Sequence, residues 1–259
     1  MKNKVNIIVK SYNIVNYIQH CLNGILTQQT NFPFKAIIYD DGSTDGTADI
    51  IKNYVNIYPN IFTAFCNNEN LYSQNKTCWD FTYKLANAKY IATCDGDDYW
   101  VDNNKLQKQV DFLDNNSDYS MCIHNAYIFD LINNIKSKFN LDYQDEVISI
   151  YDLAKKNVVN NSTKMFRNGL LKEPMFLTNC IDYYDNLVIA QYGLVKYMPD
   201  IMSVSFQRIE GIWSGKTKQE HCKIMIDFLE KMMPLFNAKI RILLLQQQIK
   251  FKQLYESLL

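Results

Sequence analysis

Along the first hundred residues, short apolar runs alternate with longer stretches in which apolar side chains recur every three or four positions. Val5 to Val9 predicts a buried strand, Asn16 to Thr27 a helix, Ala36 to Tyr39 a strand, Thr44 to Tyr54 a helix and Ile61 to Phe65 a strand. A helix from Ser73 to Ala86 and the strand Tyr90 to Cys94 complete the series. Strands alternating with helices imply βαβ units, hence an α/β fold with a mostly parallel sheet and right-handed crossovers. Further on, Asn103 to Asn115 carries Leu106, Val110 and Leu113 on one helical face, and Met121 to Ile123 reads as another buried strand. Tyr127 to Ile132 continues an apolar stretch, while Asp142 to Glu146 is acidic and loop-like. Leu187 to Tyr192 is helix-like and closes on Gly193, a plausible C-cap; Val195 to Tyr197 then reads as a strand that leaves at Pro199. The tail predicts two helices broken at Pro234, with Ile224, Phe228, Leu229, Met232 and Met233 on the first and Ile240, Leu243, Leu244, Ile249 and Leu254 on the second.

This arrangement places carboxylates at the carboxyl ends of strands. Asp40-Asp41 follows one strand and Asp95-Gly96-Asp97-Asp98 another, so two acidic turns meet at the edge where open α/β sheets bind ligands. Acidic side chains that close repel one another unless a cation or hydrogen-bond donors compensate. Mg²⁺ or Mn²⁺ held by one or two carboxylates keeps its other positions for water and substrate phosphate, so the pattern favours a phosphate-bearing ligand. An acidic turn capping the next helix is the alternative for either stretch alone. Ser43 to Thr47 is explained by a helix start; the two carboxylates ahead of it are not. Ser11-Tyr12-Asn13, after the first strand, offers a hydroxyl and an aromatic face at the same edge. His124 reads as a core or edge histidine.

Composition narrows the classes. With 259 residues, 47% of them hydrophobic, the chain can bury a large core, and 27 basic against 27 acidic residues give no field that draws nucleic acid. The seven cysteines include no Cys-x-x-Cys pair, which fits reduced thiols and makes a zinc site unexpected. Without an apolar run of about 18 residues or a signal-peptide core, the expectation is a cytoplasmic protein. Lys239, Arg241, Lys250 and Lys252 beside the apolar face of the last helix leave open a peripheral contact with the inner face of a membrane, or self-association through the tail; a helical hairpin packed on the domain is the plain alternative.

Val5 to Val9 with Ser11-Tyr12-Asn13, then Asp40-Asp41-Gly42-Ser43-Thr44-Asp45-Gly46-Thr47, then Asn67 to Leu71, then Asp95-Gly96-Asp97-Asp98-Tyr99-Trp100 resemble the ordered motifs of family 2 glycosyltransferases with the GT-A fold. The resemblance implies an inverting sugar transfer from a nucleotide diphosphate sugar, a UDP-sugar favoured, to a glycan or lipid-linked hydroxyl acceptor in bacterial surface polysaccharide or glycolipid synthesis. It implies that Ser11 and Tyr12 line the nucleotide base, with Asn13 beside them in the nucleotide site, that Asp41 hydrogen-bonds the base, and that Asp95 lies near the ribose and phosphates. Asp97 or Asp98 would ligate Mn²⁺ or Mg²⁺.

A transferase also needs a base for the acceptor hydroxyl. Asp182, in Asn179-Cys180-Ile181-Asp182-Tyr183, resembles the acidic residue that the family places before an aromatic and a glycine such as Gly193; N-capping by Asp182 or Asp185 is the alternative, and Asp185 is the reserve candidate. Val204 to Ser214 resembles the family's Tyr-Arg-x-His stretch but departs from it, with Phe206 and Arg208 at the Arg and His positions. Arg208 cannot ligate a metal but can bind a diphosphate through paired N–H donors, and Trp213 can stack on a sugar or anchor its loop. The expected organisation is a GT-A domain over residues 1–215, with a nucleotide-binding half to residue 100 and an acceptor and catalytic half from 101, followed by a C-terminal helical appendage over 216–259. A noncatalytic sugar-nucleotide or glycan-binding module and a sugar-phosphate nucleotidyltransferase are the rival classes; the latter lacks its glycine-rich loop after the first strand.

Overall fold

The computed structural model describes residues 2–74, 79–139, 146–171 and 180–259. The order is β1 (Val5–Ser11), α1 (Ile18–Leu26), β2 (Phe34–Asp40), α2 (Thr47–Ile57), β3 (Phe62–Cys66), α3 (Trp79–Leu85), β4 (Tyr90–Asp95), β5 (Tyr99–Trp100) and α4 (Lys105–Asn115). There follow β6 (Tyr119–Asp130), β7 (Ile135–Lys138), β8 (Val147–Ile148), α5 (Ile150–Lys155), β9 (Met165–Arg167), α6 (Ile181–Ile189), β10 (Leu194–Gln207), α7 (Lys218–Met232) and α8 (Ala238–Ser257). The strands form one mixed sheet in the order β3-β2-β1-β4-β9-β6-β10-β5. Its first four strands are parallel, β9 is antiparallel between β4 and β6, and β10 runs parallel to β6.

Alternation along β1 explains why both faces are covered. Val5, Ile7 and Val9 enter a core shared with Ile18, Leu22 and Ile25 of α1 and Leu106, Val110 and Leu113 of α4. Ile8 points the other way, into a core with Tyr183 and Leu187 of α6, Phe228 and Leu229 of α7 and Leu244 of α8. All four β1 side chains are fully buried, each contributing roughly 1.5–3 kcal/mol of transfer free energy. The strand therefore has a fixed register, and its carboxyl end has a fixed place.

Several sequence expectations shift. The second helix starts at Thr47 rather than Thr44, because Gly46 adopts φ 99° and Asp45 bonds the Thr47 amide and hydroxyl. The expected helix from Ser73 is a short 3₁₀ turn at Tyr72–Gln74 and then α3, with 75–78 outside the described residues. The acidic positions 142–145, and Asn179, also lie outside them. Met121–Ile123 and the apolar stretch after it are one strand, β6. Pro199 does not end its strand either: β10 continues to Gln207 past an irregularity between Met198 and Ile201, where a missing N–H is tolerated. Gly193 is not a C-cap, since α6 closes at Ala190; a Cβ there would lie 2.7 Å from Asp118 O and 2.8 Å from Ser120 N, so close backbone approach explains the glycine.

The tail forms two helices with a break at Pro234, as the apolar pattern implies. The buried face of α8 runs through Ile240, Leu244, Gln247 and Gln248, leaving Ile249 and Leu254 half exposed. Gln247 Nε2 donates to Lys155 O at 2.9 Å and Tyr183 Oη at 3.2 Å, which ties α8 to α5 and α6. No helix among the described residues is long and apolar enough to cross a membrane.

One buried charge weakens the fold. Lys105 is fully buried, its ammonium 3.8 Å from the Trp100 ring centroid and without a hydrogen-bond partner, and burial pushes its pKa down to about 7. The unfolded chain holds that proton up to about pH 10.4, so this lysine makes stability rise with pH between the two values. Lys105→Met should therefore stabilise the protein by about 2 kcal/mol at pH 7, with the gap to the parent narrowing towards pH 10. Thermal unfolding of the pair across that range tests this; a gap independent of pH would refute it. His124, fully buried beside Lys105, bonds Asn125 O through Nδ1.

Candidate active site

Parallel pairing brings the carboxyl ends of β1, β2 and β4 side by side, with Ser11 opposite Asp40 and Lys10 opposite Asp95. Asp40 is fully buried and organises the first turn: it accepts from the Ser11 hydroxyl at 2.8 Å, the Ser43 hydroxyl at 2.6 Å and the Ser43 amide at 2.9 Å. Ser11 is thereby turned inward, where it serves the turn. Asn13 adopts φ 48° and its carboxamide accepts from the Thr44 amide at 2.9 Å, fastening the β1 loop to the β2 turn. Tyr12, 37% exposed, is the member of this trio that keeps an open aromatic face.

Asp41 ties the next loop to the strand. Its carboxylate accepts from the amides of Leu71 and Tyr72, each at 3.0 Å, and from Tyr39 Oη at 3.3 Å, so it pins the 67–72 loop. Gly42 makes this approach feasible: at φ 77°, a Cβ would lie 2.5 Å from the carbonyl carbon of Glu69.

The Asp-Gly-Asp-Asp turn separates its three carboxylates. Asp95 accepts from Asn161 Nδ2 at 2.7 Å, and burial pushes its pKa up to about 6 against the pull of Lys10. Asp97 keeps a side chain 25% exposed at the carboxyl edge of the sheet, the candidate cleft, and pairs with Arg208, whose Nη2 and Nε lie 2.8 and 3.2 Å from one carboxylate oxygen. Asp98 turns into the protein, where it accepts from Ser205 Oγ at 2.7 Å and the Phe206 amide at 3.3 Å. Burial, followed by the charges of Asp97 and Asp95, raises its pKa well above the usual carboxylate range. Of the two expected metal ligands, the structure leaves Asp97 facing the cleft and occupies Asp98 with β10.

The second chemical site stands on α6. Asp182 lies in its first turn, after Cys180 at the N-cap, and forms an ion pair with Lys10 Nζ at 2.9 Å. Burial raises this carboxyl, but Lys10 and then Lys164 outweigh it and hold the pKa below the usual value. Asp182 is therefore ionised at neutral pH. Asp185, one turn on, is buried, accepts from Tyr83 Oη at 3.2 Å, and is pushed by burial up to about 6. Arg208 also stacks over Tyr17 at 5.1 Å, and its carbonyl accepts from Ser214 Oγ at 2.7 Å. Trp213 stacks on His221 at 4.3 Å, so one face of its indole is used within the loop.

A hard divalent cation fits this edge in one form. No three His, Cys, Asp or Glu side chains among the described residues gather as ligands, but Asp97 offers a cleft-facing carboxylate, and Mg²⁺ or Mn²⁺ needs only one or two of these when substrate phosphates complete the shell.

Sequence reasoning did not find Lys10, Lys164, Asn161 or Tyr17. Lys10 had a legible signal, a cation directly after the apolar run of a central strand. The others are brought in by strand order and turns that no local pattern specifies.

The mixed sheet with its acidic carboxyl edge and flanking helices is a GT-A glycosyltransferase fold. The mannosyltransferase PcManGT from Pyrobaculum calidifontis, solved with GDP-Man and Mn²⁺, superposes with a TM-score of 0.70 over 96% of this chain and 70% of that one, at 15% identity. S. aureus TarS, solved with UDP-GlcNAc, gives 0.67 over 96% and 72%, at 18% identity. The model of glycosyl transferase family 2 matches residues 6–173, and the chain belongs to that family. An uncharacterised protein of Mycobacterium tuberculosis is 30% identical over 81% of this chain. This chain spans 60% of that relative's length. The Escherichia coli enzyme WfaP, a UDP-Glc:α-D-GlcNAc-diphosphoundecaprenol β-1,3-glucosyltransferase, is 33% identical over 42% of this chain and 41% of its own.

Proposed function

We propose that this chain transfers a sugar from a nucleoside diphosphate sugar to a hydroxyl acceptor with inversion at the anomeric carbon. The observation that carries this reading is the shared edge of an ionised, 40% exposed Asp182 and the cleft-facing pair Asp97–Arg208. The acceptor oxygen forms a bond to the anomeric carbon from one face as the bond to the diphosphate oxygen breaks on the other. The hydroxyl proton passes to Asp182, and the electron pair leaves with the nucleoside diphosphate. Arg208, released from Asp97, would neutralise the departing diphosphate through its paired N–H donors. Asp97 would hold the divalent cation, which when bound supplies Lewis-acid stabilisation of charge on the diphosphate. Tyr12 offers the base a stacking face.

The relatives' names favour a UDP-sugar and a lipid-linked or glycan acceptor of a bacterial surface polymer, since WfaP carries both in its name and TarS was solved with UDP-GlcNAc. We extend the proposal to organisation: residues 1–215 supply the transferase unit, and 216–259 a helical appendage that braces α5 and α6 beneath Asp182. Calorimetric titration of UDP, GDP, CDP and dTDP with and without Mn²⁺ tests the donor reading. Selective binding of one diphosphate, strengthened at least about tenfold by Mn²⁺, is expected; binding of none would overturn it. The Arg208–Asp97 pair also favours one rival, a module that binds sugar nucleotides without chemistry, and donor binding with no transfer or hydrolysis would select it.

A further inference from the structure

Lys10 is the penultimate residue of β1, and it shares a sheet face with Ile8. That face packs against α6, so the side chain passes under the first turn of α6 and meets a carboxylate 172 residues away in sequence. The geometry of the pair is unequal. The lysine side chain is 10% exposed, the Asp182 side chain 40%, and the contact at 2.9 Å engages Oδ1 alone. No other hydrogen-bond partner holds the Asp182 carboxylate among the described residues, so Oδ2 carries no bond within them.

We propose that Lys10 is the positioning residue for Asp182: its buried ammonium clamps one carboxylate oxygen so that the other is presented to the acceptor hydroxyl. This rests on the reading of Asp182 as the base. An exposed aspartate in a first helical turn has several accessible rotamers, and only a fixed one keeps the base within reach of the attacking oxygen. The ammonium is carried by a central strand on a side chain only 10% exposed, so packing restricts its motion. The same cation keeps the carboxyl ionised, together with Lys164, whose Nζ donates to Asn186 at 3.2 Å. The other groups facing Asp182 are Asp95 from β4, Asp185 from α6, Tyr83 from α3, Tyr72 from the 67–72 loop and Cys180 at the N-cap.

The test compares Lys10→Met, Lys10→Arg and Asp182→Asn. Release of nucleoside diphosphate is followed with UDP-glucose, UDP-GlcNAc and GDP-mannose as donors, beside UDP affinity and Tm. Lys10→Met should lower kcat ~100-fold with donor KM and UDP affinity within ~3-fold of the parent, and Lys10→Arg should recover kcat to within ~10-fold. A Lys10→Met variant with parental kcat overturns the proposal, as does joint loss of kcat and UDP affinity that arginine does not rescue. If Asp182→Asn itself turns over normally, the base assignment falls and the positioning role falls with it. A dead Asp182→Asn beside an unaffected Lys10→Met removes the positioning role alone. A measurement free of substrate reads the pairing directly: the Asp182 ¹³Cγ resonance, assigned by its loss in Asp182→Asn, should titrate at higher pH in Lys10→Met than in the parent. Coincident titrations would overturn the clamp.

Discussion

Asp182→Asn should lower kcat about 1,000-fold while leaving nucleotide affinity within about threefold, as expected when a group acting on the acceptor proton is removed from a site that still binds donor. The substitution preserves shape, and its carboxamide oxygen can still accept from Lys10, so the backbone of α6 has no cause to move. What disappears is the oxygen that takes the proton. Stability should fall by only about 1 kcal/mol, because Asp182 is 40% exposed and its ion pair with Lys10 is correspondingly screened. Asp185→Asn is the contrasting variant. That carboxyl is 5% exposed, bonded by Tyr83 and pushed by burial up to about 6, so it lacks both the access and the standing charge of its neighbour. Its loss should cost activity less than about tenfold. Rates of nucleoside diphosphate release at saturating donor separate the two; a parental rate in Asp182→Asn would remove it from the chemistry. The linkage works in the same direction. Because the folded pKa of Asp182 is depressed, its contribution to stability is complete above the ordinary aspartate value and is lost only as pH falls through the lower, folded one.

The βαβ half was legible because its signals are local. Val5 to Val9, Ala36 to Tyr39 and Tyr90 to Cys94 are apolar runs broken only by Asn6 and Thr93, and strands buried on both faces leave that trace. Their carboxyl ends placed Asp40, Asp41 and Asp95 on one edge without any knowledge of side-chain direction. That missing direction is where the reading of the site stopped. Asp40 and Asp41 adjoin in sequence, yet one fastens its own turn and the other a loop 30 residues away. Asp97 and Asp98 are likewise neighbours, but the turn sends one to the cleft and the other beneath β10. The short antiparallel β9 between β4 and β6 was invisible too, because three residues carry no periodicity. Pro199 misled for a related reason: proline predicts a strand end unless a bulge absorbs it, and a bulge is set by the partner strand.

Asp97→Ala should abolish the Mn²⁺-dependent gain in nucleoside diphosphate affinity and lower turnover about 1,000-fold, a scale set by the charge that must be stabilised on the leaving diphosphate. The variant should bind UDP no more weakly than the parent in the absence of metal. Arg208 is held 2.8 Å from Asp97, and removing the carboxylate frees its guanidinium for an anionic ligand. Asp98→Asn should behave differently. Burial already favours the neutral acid at that position, where the Phe206 amide bonds Oδ1 and Ser205 Oγ bonds Oδ2. A carboxamide keeps an oxygen for the Phe206 amide and turns an N–H towards Ser205 Oγ, which accepts by reversing its own bond, so the Mn²⁺ gain should survive, with a modest loss of Tm. Titrating UDP into the two variants with and without Mn²⁺ assigns the role: retention of the gain in Asp97→Ala and its loss in Asp98→Asn would exchange the two residues, and would require the turn to rotate when the donor binds.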